Sequence, residues 1–167
     1  MVTTKVNTTL HLYKQNFKFS SAHFLIFDEK SAEKLHGHNY QVEIHLEIPP
    51  DTDAGNDKGY FVDFNVFKKW LKSRLDQWDE HVLLPAKHPE MKISKKSPSL
   101  EVHFRDRFYV FPENEVCLLP ITNTSVEMLS EILAKEAFQE FKKYGVQELR
   151  IQVEETRGQA ASTRITI

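Results

Sequence analysis

Apolar and polar residues partly alternate from Thr8 to Leu25, with Leu10, Leu12, Phe17, Phe19 and Phe24 set among polar neighbours, which predicts one long strand carrying His23 near its end. Asp28 to Lys34 is polar and charged and reads as a loop. Alternation resumes from His38 to Ile48 as a second strand and stops at Pro49-Pro50. Asp, Gly and Asn between Asp51 and Gly59 mark a turn, and Gly59 to Phe64 is a short apolar segment leading into a helix. Asp63 or Asn65 caps that helix, and Val66, Phe67, Trp70, Leu71, Leu75 and Trp78 form its apolar stripe. Prolines and lysines from Pro85 to Pro98 predict an exposed loop, followed by a hairpin over SLEVHFR and RFYVFP.

Thr124 to Glu127 has capping-box spacing and opens a second helix, with Leu129, Ile132, Leu133, Ala137, Phe141 and Tyr144 on one face and Gly145 at its end. VQELRIQVEET and STRITI are the last strands. These elements predict an α+β layer, an antiparallel sheet with both helices on one face, whose open edges favour pairing with other subunits. One domain over 1–167 suits the length.

Charge narrows the choice of partner. Lysine and arginine number 22 against 24 acidic residues, a formal charge of -2, so neither nucleic acid nor an anionic membrane surface is an expected partner. Cys117 is the single cysteine, and the chain shows neither a secretory h-region nor an apolar run of membrane-spanning length. The expected compartment is the reducing cytoplasm.

The candidate chemistry lies in three histidines. Residues two apart on a strand point to one face, so His36 and His38 can reach one ion, and Gly37 is expected to leave room between them. Such a pair alone is a weak sign of metal. His23 strengthens it, because a hairpin can bring the end of the first strand beside the pair. Three imidazoles leave a fourth tetrahedral position open, the catalytic type of Zn2+ site; a structural site fills all four and often uses cysteine.

Phe19-Ser20-Ser21-Ala22-His23, Leu35-His36-Gly37-His38-Asn39-Tyr40, Asp63-Phe64, Asp79, Thr124 to Glu127 and Val153-Glu154-Glu155-Thr156 follow one another in an order that resembles the 6-pyruvoyl-tetrahydropterin synthase and 6-carboxy-tetrahydropterin synthase family. The resemblance spans nearly the whole chain except Pro85 to Pro120, which reads as an insertion relative to shorter members. It implies a tunnelling fold, here a four-stranded antiparallel sheet with two helices on one face, whose sheets join into a barrel in a homo-oligomer, a trimer or hexamer. It also implies zinc on His23, His36 and His38, and a reduced pterin, 7,8-dihydroneopterin triphosphate, as substrate. Glu155 matches the pterin-anchoring glutamate, and Ser125 and Glu127 match substrate-pocket positions.

Two departures change the expected chemistry. Ala32 stands where the family carries its catalytic cysteine, and Asp79 is followed by Glu80, so the usual partner histidine is displaced to His81. A subset of the family resembles this chain in carrying a glutamate in the cysteine's stead, here Glu33. A carboxylate is basic enough to take a hydroxyl proton from a zinc-activated side chain, whereas a C–H proton asks for a base nearer the thiolate, whose reference pKa of ~8.5 lies well above the ~4.3 of glutamate. The expected product is therefore 6-hydroxymethyl-7,8-dihydropterin. The alternatives are a 6-pyruvoyl- or 6-carboxy-tetrahydropterin synthase with Asp79 and His81 as relay, and a pterin-binding protein without turnover.

Overall fold

A computed structural model describes residues 8–48, 60 and 62–167. The predicted turn at 51–59 and the prolines at 49–50 lie outside the described residues, as do Gly59 and Phe61 of the short apolar segment.

The first predicted strand is two strands, β1 (Thr8–Leu12) and β2 (Lys18–His23), which lie end to end along one edge of the 13-residue β3 (His36–Ile48). Pairing runs from Thr8 opposite Ile48 to Leu12 opposite Ile44, then resumes at Lys18 opposite Gln41. The chain spends more residues between Leu12 and Lys18 than β3 spends between Ile44 and Gln41, and the surplus loops out. Gln41 secures the break, its Nε2 donating to Lys14 O at 2.9 Å and to Phe17 O at 3.0 Å.

Helix α1 (Phe64–Asp76) starts where Asp63 accepts from Asn65 N, and it buries Phe67, Leu71 and Leu75. Trp78 lies just past its end, buried edge-on against Phe19. Strand β4 (His81–Pro85) then runs parallel to β2. The predicted loop at 85–98 is corrected in part, because β5 (Met91–Lys96) pairs with β6 (Ser99–Phe104), and β6 pairs with β7 (Arg107–Pro112), in a separate three-stranded sheet. Met91 and Ile93 point inward while the lysines face solvent, which makes β5 a charged edge strand. Strand β8 (Val116–Leu119) runs parallel to β4.

Helix α2 (Val126–Phe141) is capped by Ser125, whose hydroxyl accepts from Met128 N at 3.4 Å, so the cap lies one residue later than the capping box predicts. Thr124 is buried and bonds elsewhere. Strands β9 (Glu148–Thr156) and β10 (Gln159–Thr166) complete the main sheet, which runs β10-β9-β3-β2-β4-β8 with β1 also on β3. The four expected antiparallel strands β10, β9, β3 and β2 form one contiguous run from the β10 edge, and β1 with the parallel pair β4 and β8 extend the sheet to seven. Tyr40, Val42, Ile44 and Leu46 of β3 and Leu149, Ile151 and Val153 of β9 bury one face against Phe67, Leu71, Leu129, Leu133 and Phe141 of the helices. The opposite face carries Glu43, His45, Glu47 and Arg150, the division expected of a sheet with one solvated side. Phe24, Ile26 and Leu84 form a second cluster with Met91, Leu100, Val102 and Phe104 of the small sheet.

Candidate metal centre

His23 pairs directly with His36 across β2 and β3, and His38 lies one step further on the same face. Their ligand nitrogens all lie within 4.8 Å of one another. Backbone carbonyls orient two of the rings: Nδ1 of His23 lies 3.0 Å from Thr124 O, and Nδ1 of His36 lies 2.8 Å from Lys34 O. A carbonyl only accepts, so both Nδ1 atoms carry the proton and both Nε2 atoms present lone pairs to the cluster. Nε2 of His36 lies 2.8 Å from Nε2 of His38, a separation that requires a proton or cation between them.

Nε2 of His23 is buried without a hydrogen-bond partner, although Glu155 Oε1 stands 3.1 Å away. A neutral imidazole and an ionised carboxylate are both acceptors there. Burial lowers the pKa of His23 first, while the charge of Glu155 and the Thr124 carbonyl pull it upward and His36 and His38 push it down again. The net direction favours the neutral ring, which is the form that binds metal. The orphaned Nε2 of His23 and the tethered Nδ1 atoms of His23 and His36 therefore fit a metal ion held by the three imidazoles.

Gly37 does not act as a spacer between the rings. It faces the other side of β3, and a β-carbon there would meet Ser21 O at an ordinary 3.4 Å. An open cavity of about 600 Å3 begins on that side, lined by Ser20, Gly37, Asn39 and His81, and by His38 and Glu155 from the cluster. Tyr40 donates to Glu155 Oε1 at 3.3 Å, and its own pKa is raised by burial and then by the charge of Glu155.

Glu33 lies beside the histidine cluster, its Oε2 3.8 Å from His36 Nε2 and accepting from Leu25 N at 3.0 Å. Asp79 and His81 are neighbours, but their carboxylate and ring do not bond to each other. Asp79 Oδ1 accepts from Ser20 N at 2.7 Å, while His81 Nδ1 donates to the backbone carbonyl of Asp79 at 2.6 Å. Ser125 and Glu127 stand at the start of α2 and do not line the cavity. Cys117 is half-buried on β8, donates to Gln77 O at 2.9 Å, and has a pKa raised by burial. Sequence reasoning missed two contributors. Thr124 acts through its carbonyl, for which any residue type would serve, and Tyr40 was read only as the last residue of the Leu35 to Tyr40 run, with no role of its own.

The sequence model of the family described as 6-pyruvoyl tetrahydropterin synthase matches residues 12–165. A protein of Methanocaldococcus jannaschii, provisionally named 6-carboxy-5,6,7,8-tetrahydropterin synthase, is 29% identical over 150 residues, covering 88% of this chain and 89% of its own. The structure of Plasmodium falciparum 6-pyruvoyl tetrahydropterin synthase superposes with a TM-score of 0.86 at 26% identity, over 96% of this chain and 99% of that one. Plasmodium vivax 6-pyruvoyltetrahydropterin synthase gives a TM-score of 0.86 at 26% identity over 97% and 99%, in structures described as catalytic residue mutants with a glutamate replaced by alanine or by cysteine.

Proposed function

Because the chain belongs to the 6-pyruvoyl tetrahydropterin synthase family, we propose that it is a zinc-dependent lyase that cleaves the side chain of 7,8-dihydroneopterin triphosphate to 6-hydroxymethyl-7,8-dihydropterin. The observation that carries this reading is the Glu33 carboxylate at 3.8 Å from the His36 ring, with the chain's one cysteine on β8 and bonded to Gln77. The P. vivax enzyme, whose described catalytic residue is a glutamate, supports the same assignment.

His23, His36 and His38 would hold the zinc, which supplies Lewis acidity toward the hydroxyls of the substrate's side chain. Glu33 acts as general base and takes the proton from the hydroxyl on the second side-chain carbon. The bond between the first and second side-chain carbons breaks, the second carbon leaves as an aldehyde, and the electron pair passes into the conjugated ring. The first carbon then regains a proton. Glu155, at the cavity wall and steadied by Tyr40, accepts hydrogen bonds from the amino-pyrimidine edge of the pterin. Ser125 and Glu127 serve a pocket that is completed where subunits meet. Asp79 holds the cavity wall through Ser20, and His81, whose ring is oriented by the Asp79 carbonyl, lines the cavity and moves protons there.

Incubating zinc-loaded protein with 7,8-dihydroneopterin triphosphate and weighing the products tests the reading, with Glu33→Ala in parallel. Expected are 6-hydroxymethyl-dihydropterin from the parent and a loss of at least about 100-fold in the variant, the lower range for removing a general base. Full turnover by Glu33→Ala sinks the role of Glu33. A 6-pyruvoyl or 6-carboxy product transfers the chemistry to another base.

A further inference from the structure

The hairpin of β6 and β7 turns two arginines toward the loop that joins β2 to β3. Arg107, at the start of β7, donates through Nη2 to Ala32 O at 3.0 Å and through Nη1 to Glu33 O. Its guanidinium lies 5.8 Å from the ring centre of Phe24 and 5.9 Å from that of Phe104, so the group is seated on the second apolar cluster. Arg105 reaches the other end of the loop and donates from Nη2 to Asp28 O at 2.6 Å. Glu90 fixes that guanidinium, with Nη2 to Oε2 at 2.7 Å and Nε to Oε1 at 3.2 Å. The backbone of Arg105 has φ 57°, a region that disfavours any residue with a β-carbon. An arginine occupies a turn position suited to glycine, and its side chain bonds the loop at Asp28.

The tip of the loop is tied to itself, with Asp28 Oδ1 accepting from Lys30 N at 2.7 Å and from Ser31 N at 2.8 Å and Phe27 N donating to Ser31 O at 3.1 Å, while fewer bonds join its two arms. Ile26 bridges Ala32, and Glu33 N donates to Leu25 O at 2.8 Å. Asn123 holds Ile26 from the side of α2, accepting from its N at 3.1 Å and donating to its O at 2.8 Å. The carbonyls of Ala32 and Glu33 are successive, and a planar guanidinium can meet both with one fork, which an ammonium cannot.

We propose that the three-stranded sheet β5–β7 is a clamp on the 25–35 loop and that Arg107 is a positioning residue for Glu33, holding the backbone from which its carboxylate reaches the histidine cluster. The consequence for turnover rests on the role of Glu33 given above; the clamp itself does not. Arg107→Met keeps an apolar stem over Phe24 and Phe104 and removes both donors.

Two readouts on the full zinc-loaded chain test the proposal. Amide hydrogen exchange followed by mass spectrometry should quicken in residues 25–35 while β3 and β9 keep their protection. The kcat for consumption of 7,8-dihydroneopterin triphosphate should fall about tenfold or more, about 1.4 kcal/mol of barrier, with KM and bound zinc unchanged. Arg107→Lys should fall between parent and Arg107→Met. Unaltered exchange in 25–35 overturns the clamp, and a loosened loop with unchanged kcat overturns the positioning role. If Arg107→Met loses protection throughout, Arg107→Lys decides by the same readouts. Glu33→Gln, run alongside, separates the two ideas: normal turnover there removes the base assignment, and loop exchange alone then judges the clamp.

Discussion

Two histidines show how one residue type takes different parts on the two faces of the sheet. His23, on the helix face, has its Nδ1 tied to a carbonyl and its Nε2 aimed at two more imidazoles. His45, on the polar face, has Nδ1 2.7 Å from Nδ1 of His11 and a buried Nε2 without a partner. Burial lowers the pKa of His45 first, then the charges of His11 and Arg150; Glu43, 3.6 Å from Nε2, opposes them. Relative to an unfolded histidine near ~6.5, the folded form binds its proton less readily, so stability is complete above about pH 6.5 and is lost as pH falls through the folded value. Melting curves between neutral pH and pH ~5 should show the midpoint dropping on the acid side. His45→Gln should flatten that slope, and an unchanged slope assigns the effect to other groups. His36 and His38 were legible because strand period puts them on one face. The orphaned Nε2 of His45 was not, because its burial depends on β1 and β9, which set His11 and Arg150 on either side of it.

At the scale of elements, α2 joins the core to the metal centre. Its inward face buries Leu129, Leu133, Ala137 and Phe141, and the residue before its cap gives His23 a carbonyl. Leu133→Ala should cost about 2–5 kcal/mol of unfolding free energy in a urea titration, the range for such a truncation in a packed core. A loss under about 1 kcal/mol would mean that α2 packs loosely. The helix was legible from its stripe, but its first turn was read one residue early, because Thr124 turns its hydroxyl to Phe24 O at 3.0 Å instead of capping. The break between β1 and β2 left a mark in the sequence: the apolar parity changes from Leu10 and Leu12 to Phe17 and Phe19. Strand β5 left a weaker one, since its lysines and flanking prolines outnumber the two inward positions Met91 and Ile93.

Over the whole molecule, β10 and β8 end the main sheet with no neighbour beyond them among the described residues, and Glu43, Glu47 and Arg150 line its polar face. Unpaired strand edges are satisfied at least cost by the same edges on other copies, which closes sheets into a barrel without free strands. Sedimentation equilibrium should therefore give the mass of three or six chains. A monomer at micromolar concentration would overturn that assembly and with it the placing of Ser125 and Glu127 at a shared pocket. Among the described residues no helix is long and apolar enough to cross a membrane.

The sequence by itself determined which side chains could share a face: His36 with His38, the stripe of α1, the alternating core of β3. Periodicity is a property of the local backbone, and local backbone geometry follows from adjacent residues. Only the tertiary structure decided which backbone carbonyls orient His23 and His36, that Asp79 spends its carboxylate on Ser20, and that Arg107 grips the loop of Glu33 from 74 residues away. Those contacts join distant segments, and a carbonyl carries no residue identity for a sequence to display.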